Sequence, residues 1–230
     1  MRTTGGAPGR LLGSGRTADV YEIDAAWVLR RERAGYGDAA AEAEIMAHVR
    51  AHEFPAPAVR AADSGKRDLV MERLDGPTML QAFAAGELGA QEAGAILARL
   101  LRELHGVPAP RTAGARVLHL DLHPDNVILT GDGPRVIDWS TAREGDPALD
   151  WGMSAVILAQ VAVSAEPIAA PARAMLGALL VDPSDLTEEG LTEASRRRAD
   201  NPTMRAEEIE LLGAAGSLVR SLASLASLAP

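Results

Sequence analysis

Apolar residues come in short runs between polar turns through the first third of the chain, and at helical spacing beyond it. RLLGSGRTADVYEID (10–24) has two apolar ends around a glycine-containing turn, which predicts a β-hairpin. AWVLRRER (26–33) reads as a third strand. AAAEAEIMAHVRAH (39–52) reads as a helix stopped by FPAPAV, and DLVMERL (68–74) as a strand after the DSGKRD turn. LGAQEAGAILARLLRELHGV (88–107) places Ala95, Leu97, Leu100, Leu101 and Leu104 near helical spacing, with Gly106 and Pro108 after its end. Two short strands follow, at Val127–Leu129 and in RVIDWS (135–140), joined by the turn TGDGP. From Trp151 onward helices are broken at Pro167, Pro171, Pro183 and Pro202, and the final stretch is one helix or two. The boundary between the two styles falls at Leu74–Met79.

Composition narrows the function classes. Apolar residues make up 47% of the 230, so the chain can bury a core, and with aromatics at 3% that core rests mainly on Ala, Leu and Val. A net charge of −9 argues against a nucleic-acid partner, which would need clustered Lys and Arg. The one basic triplet, Arg196-Arg197-Arg198, reads as a solvated helix face. Without cysteine there is no disulfide, no thiolate zinc site and no cysteine nucleophile. The longest uncharged run, Trp151–Ala165, falls short of the roughly 18 apolar residues of a membrane span and reads as a buried helix. The first residues, MRTTGGAPGRLLG, hold no apolar run fit for a signal peptide. The expected location is the cytoplasm, with no membrane partner.

The candidate chemistry lies in four features whose order matters more than any one of them. Gly13-Ser14-Gly15-Arg16-Thr17-Ala18-Asp19-Val20 is a G-x-G-x-x-A-x-V loop inside the hairpin. It is either a plain turn or a loop whose backbone N–H groups approach phosphate oxygens. A Rossmann loop would lead into a helix, whereas here a strand follows. Arg30 closes a strand, and the next helix carries Glu42 and Glu44. HLDLHPDNVIL (119–129) places Asp121 and Asn126 on the loop feeding a strand, and Asp138 ends the next strand. Asn126 and Asp138 offer hard oxygen ligands suited to Mg²⁺. Zinc is disfavoured, because His119 and His123 lack a third firm ligand nearby.

Taken together these motifs resemble the protein-kinase signature set, and HLDLHPDN with Ile137-Asp138-Trp139 and GDPALDWG resembles the aminoglycoside phosphotransferase-like small-molecule kinases. The likeness runs from about Leu11 to Gly152. It implies an α+β, bilobal protein-kinase-like fold, with a small antiparallel-sheet lobe (1–74) and a larger, mainly helical lobe (75–230). It implies ATP and Mg²⁺ as cofactors and transfer of the γ-phosphoryl group to a hydroxyl of a small molecule.

By the resemblance, Asp121 is the catalytic base, and Asn126 and Asp138 are the Mg²⁺ ligands. Gly13, Ser14, Gly15 and Val20 cover the nucleotide, Arg30 meets its phosphates, and Glu42, better placed than Glu44, holds Arg30. Glu72, Arg73 and Leu74 match the hinge at the adenine edge. His119 takes a structural role under the metal strand. His123 either contacts phosphate or substrate or stabilises a turn. Asp150 matches an aspartate that braces the loop through backbone N–H groups, read here as a helix N-cap. The chain departs from the pattern at Arg30, where lysine is usual, and a guanidinium forks differently from an ammonium. A nucleotide-binding pseudokinase is therefore the alternative. Acceptor specificity is expected within Trp151–Pro230, where Glu166, Asp182, Asp185, Glu188 and Glu189 form either an acidic pocket or a solvated face.

Overall fold

A computed structural model describes residues 9–15, 18–33, 38–183, 185–202 and 204–226. Four strands form one antiparallel sheet in the order β1 (Leu11–Ser14), β2 (Ala18–Glu22), β3 (Trp27–Glu32), β4 (Asp68–Glu72). Its register sets Gly13 opposite Val20, Val20 opposite Arg30 and Arg30 opposite Leu69. Directly opposed residues share a face. One transverse row of the sheet therefore gathers the glycine loop, Val20 and Arg30. Arg31 takes the other face, where both ends of its guanidinium meet Asp68 on β4 at 2.8 and 2.7 Å. Arg30 does not close its strand as the sequence suggested, because β3 continues through Glu32.

Helix α1 (Ala39–Ala51) starts on Asp38, whose side chain accepts from the N–H groups of Ala40 and Ala41. Its buried face carries Ala39, Glu42, Ala43, Met46 and Val49. After β4 the chain passes through Gly76, where a Cβ would overlap the Leu129 carbonyl and φ is +147°. This tight crossing leads into α2 (Met79–Ala84), a short helix that the sequence did not announce. Its start is closed by a reciprocal box between Thr78 and Gln81.

The rest is mostly helical. Helix α3 (Ala90–His105) buries the leucines expected from its spacing. The two-stranded ladders β5 (Arg116–Leu118) with β8 (Arg143–Gly145), and β6 (Val127–Thr130) with β7 (Gly133–Val136), carry the loops between them. Helix α4 (Pro147–Ala162) is buried almost all round, which explains a sequence whose one charged residue is the buried Asp150: α5 (Ala169–Leu179), α6 (Glu188–Ala199) and α8 (Leu212–Ala226) pack against it. It starts at Pro147 on an Asp146 cap, so Asp150 lies inside its first turns and is not the N-cap. Pro171 does not break a helix either; it sits in the first turn of α5, where its missing N–H is tolerated. The final stretch is two helices, α7 (Ala206–Glu210) and α8, parted at Leu211 and not at its glycines. Two helix pairs meet through glycine. A Cβ at Gly94 on α3 would overlap the Met175 carbonyl on α5. One at Gly152 on α4 would come within 2.7 Å of the Gly190 carbonyl on α6. Among the described residues no helix is long and apolar enough to cross a membrane.

Candidate active site

The loop after β5 is tied down by one buried carboxylate. Asp150 accepts from the N–H of His119 at 2.9 Å, the N–H of Leu120 at 2.7 Å and His105 Nε2 at 3.0 Å. Leu120 is held at φ +65°, a conformation that a leucine rarely adopts. Burial pushes the Asp150 carboxyl up, but His105 and the loop N–H groups outweigh it and keep the group below the ordinary range. His119 is fully buried. Its Nδ1 accepts from the Asp121 N–H at 3.3 Å and its Nε2 donates to the Ile137 carbonyl at 3.0 Å, edge-on to the Trp139 ring. It thus joins the Asp121 loop to the segment carrying Asp138 from beneath, in the structural place expected of it.

Asp121 projects above this base. Asn126, on a single 3-10 turn (Pro124–Asn126), donates its Nδ2 to the Asp121 carbonyl at 2.8 Å and to Oδ2 at 3.2 Å. That leaves the Asn126 amide oxygen facing away from the carboxylate. His123 caps the same turn by accepting from the Asp125 N–H, while its Nε2 stands 3.7 Å from Asp121 Oδ2, beyond hydrogen-bond range. Burial pushes the Asp121 carboxyl up, yet His123, His119 and Arg198 together hold it below the ordinary value. The Asp121 carboxylate is therefore ionised at neutral pH.

Asp138 lies two residues beyond β7, in the left-handed region at φ 62°, and not at a strand end. Its Oδ1 accepts from Ser140 Oγ at 2.8 Å and lies 3.5 Å from Arg30 Nη1. Arg30 in turn sets Nη1 against Glu42 Oε1 at 2.9 Å and Nη2 against both Glu42 Oε2 and Glu32 Oε1. Glu42 also accepts from the Trp139 N–H at 3.1 Å, so one side chain ties α1 to β3 and to the Asp138 segment. Burial pushes the Glu42 carboxyl up to about 7, against the pull of Arg30. Glu44 stands apart, exposed and paired with Arg111.

Around the glycine loop, Ser14 Oγ donates to Asp19 at 2.6 Å, and Arg33 donates to the Gly15 carbonyl, Ser14 and Asp19. A Cβ at Gly13 would meet open space. Arg16 and Thr17 of this loop lie outside the described residues. In the Glu72–Leu74 stretch the Glu72 N–H donates to the Ala58 carbonyl and the Arg73 N–H to that of Ala26; neither bond uses Leu74.

Sequence reasoning missed three contributors. Glu32 is buried against Arg30, Arg33 reaches over the glycine loop, and Arg198 turns inward to Gln160 at 2.9 Å. The basic triplet is therefore only partly a solvated face. A cavity of about 550 Å³ opens behind the loop, between β8, α4 and α6. Leu120 lines it, Asp121 does not, and of the five acidic residues considered for acceptor binding only Glu189 reaches it.

Among known proteins, the model of the phosphotransferase enzyme family matches residues 8–117 and 112–188. Thiamine kinases of Salmonella paratyphi B and Salmonella newport are each 44% identical over 52 residues, covering 23% of this chain. The match spans 19% of those relatives' own length. The structure of a gentamicin–APH(2'')-IIa complex superposes with a TM-score of 0.55 at 14% identity, covering 96% of this chain and 91% of that one. The streptomycin–ATP–APH(2'')-IIa ternary complex gives 0.52 at 15%, covering 91% and 92%. Aminoglycoside phosphotransferase APH(4)-Ia gives 0.52 at 15%, covering 92% and 93%. At such identities the likeness is one of fold: a small antiparallel-sheet lobe on a larger helical one.

Proposed function

This chain belongs to the phosphotransferase enzyme family, and on that premise we propose that it is an ATP-dependent kinase of small-molecule hydroxyl groups. The observation that carries the proposal is a chain of contacts: Asn126 bonds Asp121, the Asn126 backbone carbonyl accepts from the Ile137 N–H beside Asp138, and Arg30, held by Glu42, meets Asp138. Residues 1–74 are assigned to the nucleotide lobe and residues 75–230 to the catalytic and acceptor lobe, a division that the described residues of each part support. Gly13, Ser14, Gly15 and Val20 would cover the nucleotide from the sheet, where the missing Cβ of Gly13 leaves room for it. Glu72 and Leu74 would meet the adenine edge through their backbone.

The donor set suits Mg²⁺. Asn126 spends its amide N–H on Asp121, which frees its oxygen, and Asp138 adds a part-exposed carboxylate. No group of three or more His, Cys, Asp or Glu side chains placed to hold a metal is found among the described residues. Two protein oxygens suit an ion that keeps water and phosphate as its other ligands. When bound, Mg²⁺ offsets the charge that develops on the transferring phosphoryl oxygens.

Asp121 performs the step that belongs to the protein. Its carboxylate, oriented by Asn126, accepts the hydroxyl proton as the new O–P bond forms and the bond to the ADP leaving oxygen breaks. His123 stabilises the turn beside it and keeps the carboxylate ionised. The acceptor is assigned to the helical side after Asp138. ATP consumption by wild type and Asp121→Asn, measured with pooled hydroxylated metabolites and antibiotics, tests the proposal. Acceptor-dependent consumption by wild type alone is the expected result. Equal consumption with every acceptor would leave a nucleotide-binding pseudokinase.

A further inference from the structure

The departure from lysine at position 30 has a partner in the same strand. Residues 30 and 32 lie on one face of β3, so the strand itself delivers Glu32 to the guanidinium. Arg30 is 7% exposed, Glu32 2% and Glu42 4%. Nη1 faces Glu42 at 2.9 Å and Asp138 at 3.5 Å; Nη2 faces Glu42 and, at 2.5 Å, Glu32. Nε is buried and without a hydrogen-bond partner. Each Nη carries two N–H donors, and each therefore has two carboxylates to serve. The backbone of Glu32 is fixed as well, donating to the Arg67 carbonyl and accepting from the Arg67 side chain at 3.0 and 2.7 Å.

An ammonium presents its donors around one point and would bridge these carboxylates poorly, while a planar fork does so along its two edges. A buried carboxylate stranded without a cation is strongly unfavourable. Arginine at 30 and glutamate at 32 thus form one unit. We infer that Glu32 is a positioning residue of the nucleotide site: with Glu42 it saturates Arg30, making the guanidinium a cross-brace for Asp138 in place of a direct phosphate ligand. The inference rests on the kinase reading above and alters the part that Arg30 plays in it. Phosphate charge would then be met chiefly through an ion that Asn126 and Asp138 would hold, so nucleotide binding should depend steeply on Mg²⁺.

Calorimetry of ADP binding, with Mg²⁺ and with EDTA, compares wild type with Glu32→Gln. Glutamine keeps the shape and a neutral acceptor oxygen but removes the charge, so it holds the second Nη edge less tightly and lets it turn toward phosphate. The ratio of affinities with and without Mg²⁺ should shrink by about tenfold, the order that one charge-assisted hydrogen bond supplies. A purely structural Glu32 would lower the melting temperature and leave that ratio within about twofold of wild type, which would overturn the inference. Arg30→Lys and Arg30→Lys/Glu32→Gln supply the second measurement. The double variant should melt above the single one, and a double variant no more stable than Arg30→Lys would refute the pairing. Absence of any Mg²⁺–ADP binding by wild type would instead remove the nucleotide reading itself, with the melting comparison still reporting on the pair.

Discussion

Asp150 Oδ1 accepts a hydrogen bond from the Leu120 backbone N–H at 2.7 Å and so fixes a left-handed leucine directly before Asp121. The same carboxylate accepts from His119 and His105. Asp150→Asn should destabilise the fold by about 3 kcal/mol, as expected when several buried donors lose their charged acceptor. Urea denaturation measures it. A loss under about 0.5 kcal/mol, within the range of ordinary surface changes, would show that the brace is dispensable.

Asp121→Asn retains size and removes charge and basicity. Turnover should fall by roughly 10²–10⁴, the usual effect of losing a general base, with nucleotide affinity within a few fold of wild type. Because the Asp121 carboxyl sits below the ordinary range, wild-type turnover should not fall on this group's account until the pH drops beneath the usual carboxylate values. Loss of activity between pH 7 and 5 that disappears with Asp121 replaced by another base would contradict the assignment.

Glu42 sets a slope of stability with pH. Its folded value of about 7 stands above the ordinary glutamate value of 4.5, so between the two the native state holds a proton that the unfolded chain has released. Stability from this group is present below 4.5 and declines as pH rises toward 7. Melting curves of wild type and Glu42→Gln across that window should diverge, with wild type losing more on the alkaline side. Parallel curves would show that Glu42 is ionised throughout.

Gly152→Ala tests the helix seam. The new Cβ would stand 2.7 Å from the Gly190 carbonyl oxygen and 3.0 Å from the Ala194 Cβ. A shift of α6 is needed, at a loss of about 1–3 kcal/mol, typical of overpacking. Unchanged stability by denaturant titration would mean that α6 yields freely.

Much of the fold was legible because its signals are local. The hairpin, β3, α1 and α3 follow from turn residues, periodicity and caps that lie within a few positions of each element. The three-residue strands β5 and β8 were not legible, since each pairs with a partner 25 to 29 positions away in the chain. The Asp146-Pro147 pair, a cap followed by proline at the first helical position, announces the start of α4 four residues before Asp150, whose own cap-like look misleads. In the candidate site, Asp121, Asn126 and Asp138 stood in short recognisable stretches and are neighbours in space. Glu32 gave no such sign, because a charged residue near a strand end reads as a surface residue until its partner is known. Arg198 was hidden likewise within a triplet whose other members do face solvent.

At Gly152 and Gly190 the helices α4 and α6 touch main chain to main chain, and Gly190 borders the cavity behind the Asp121 loop. That wall is therefore anchored by atoms that every amino acid shares. The side chains projecting from it, Glu189, Glu193 and Arg197, hang on a frame that does not rely on them. Exchanging these three need not loosen the frame, so in this chain the chemistry of the cavity wall and the integrity of the fold are separable.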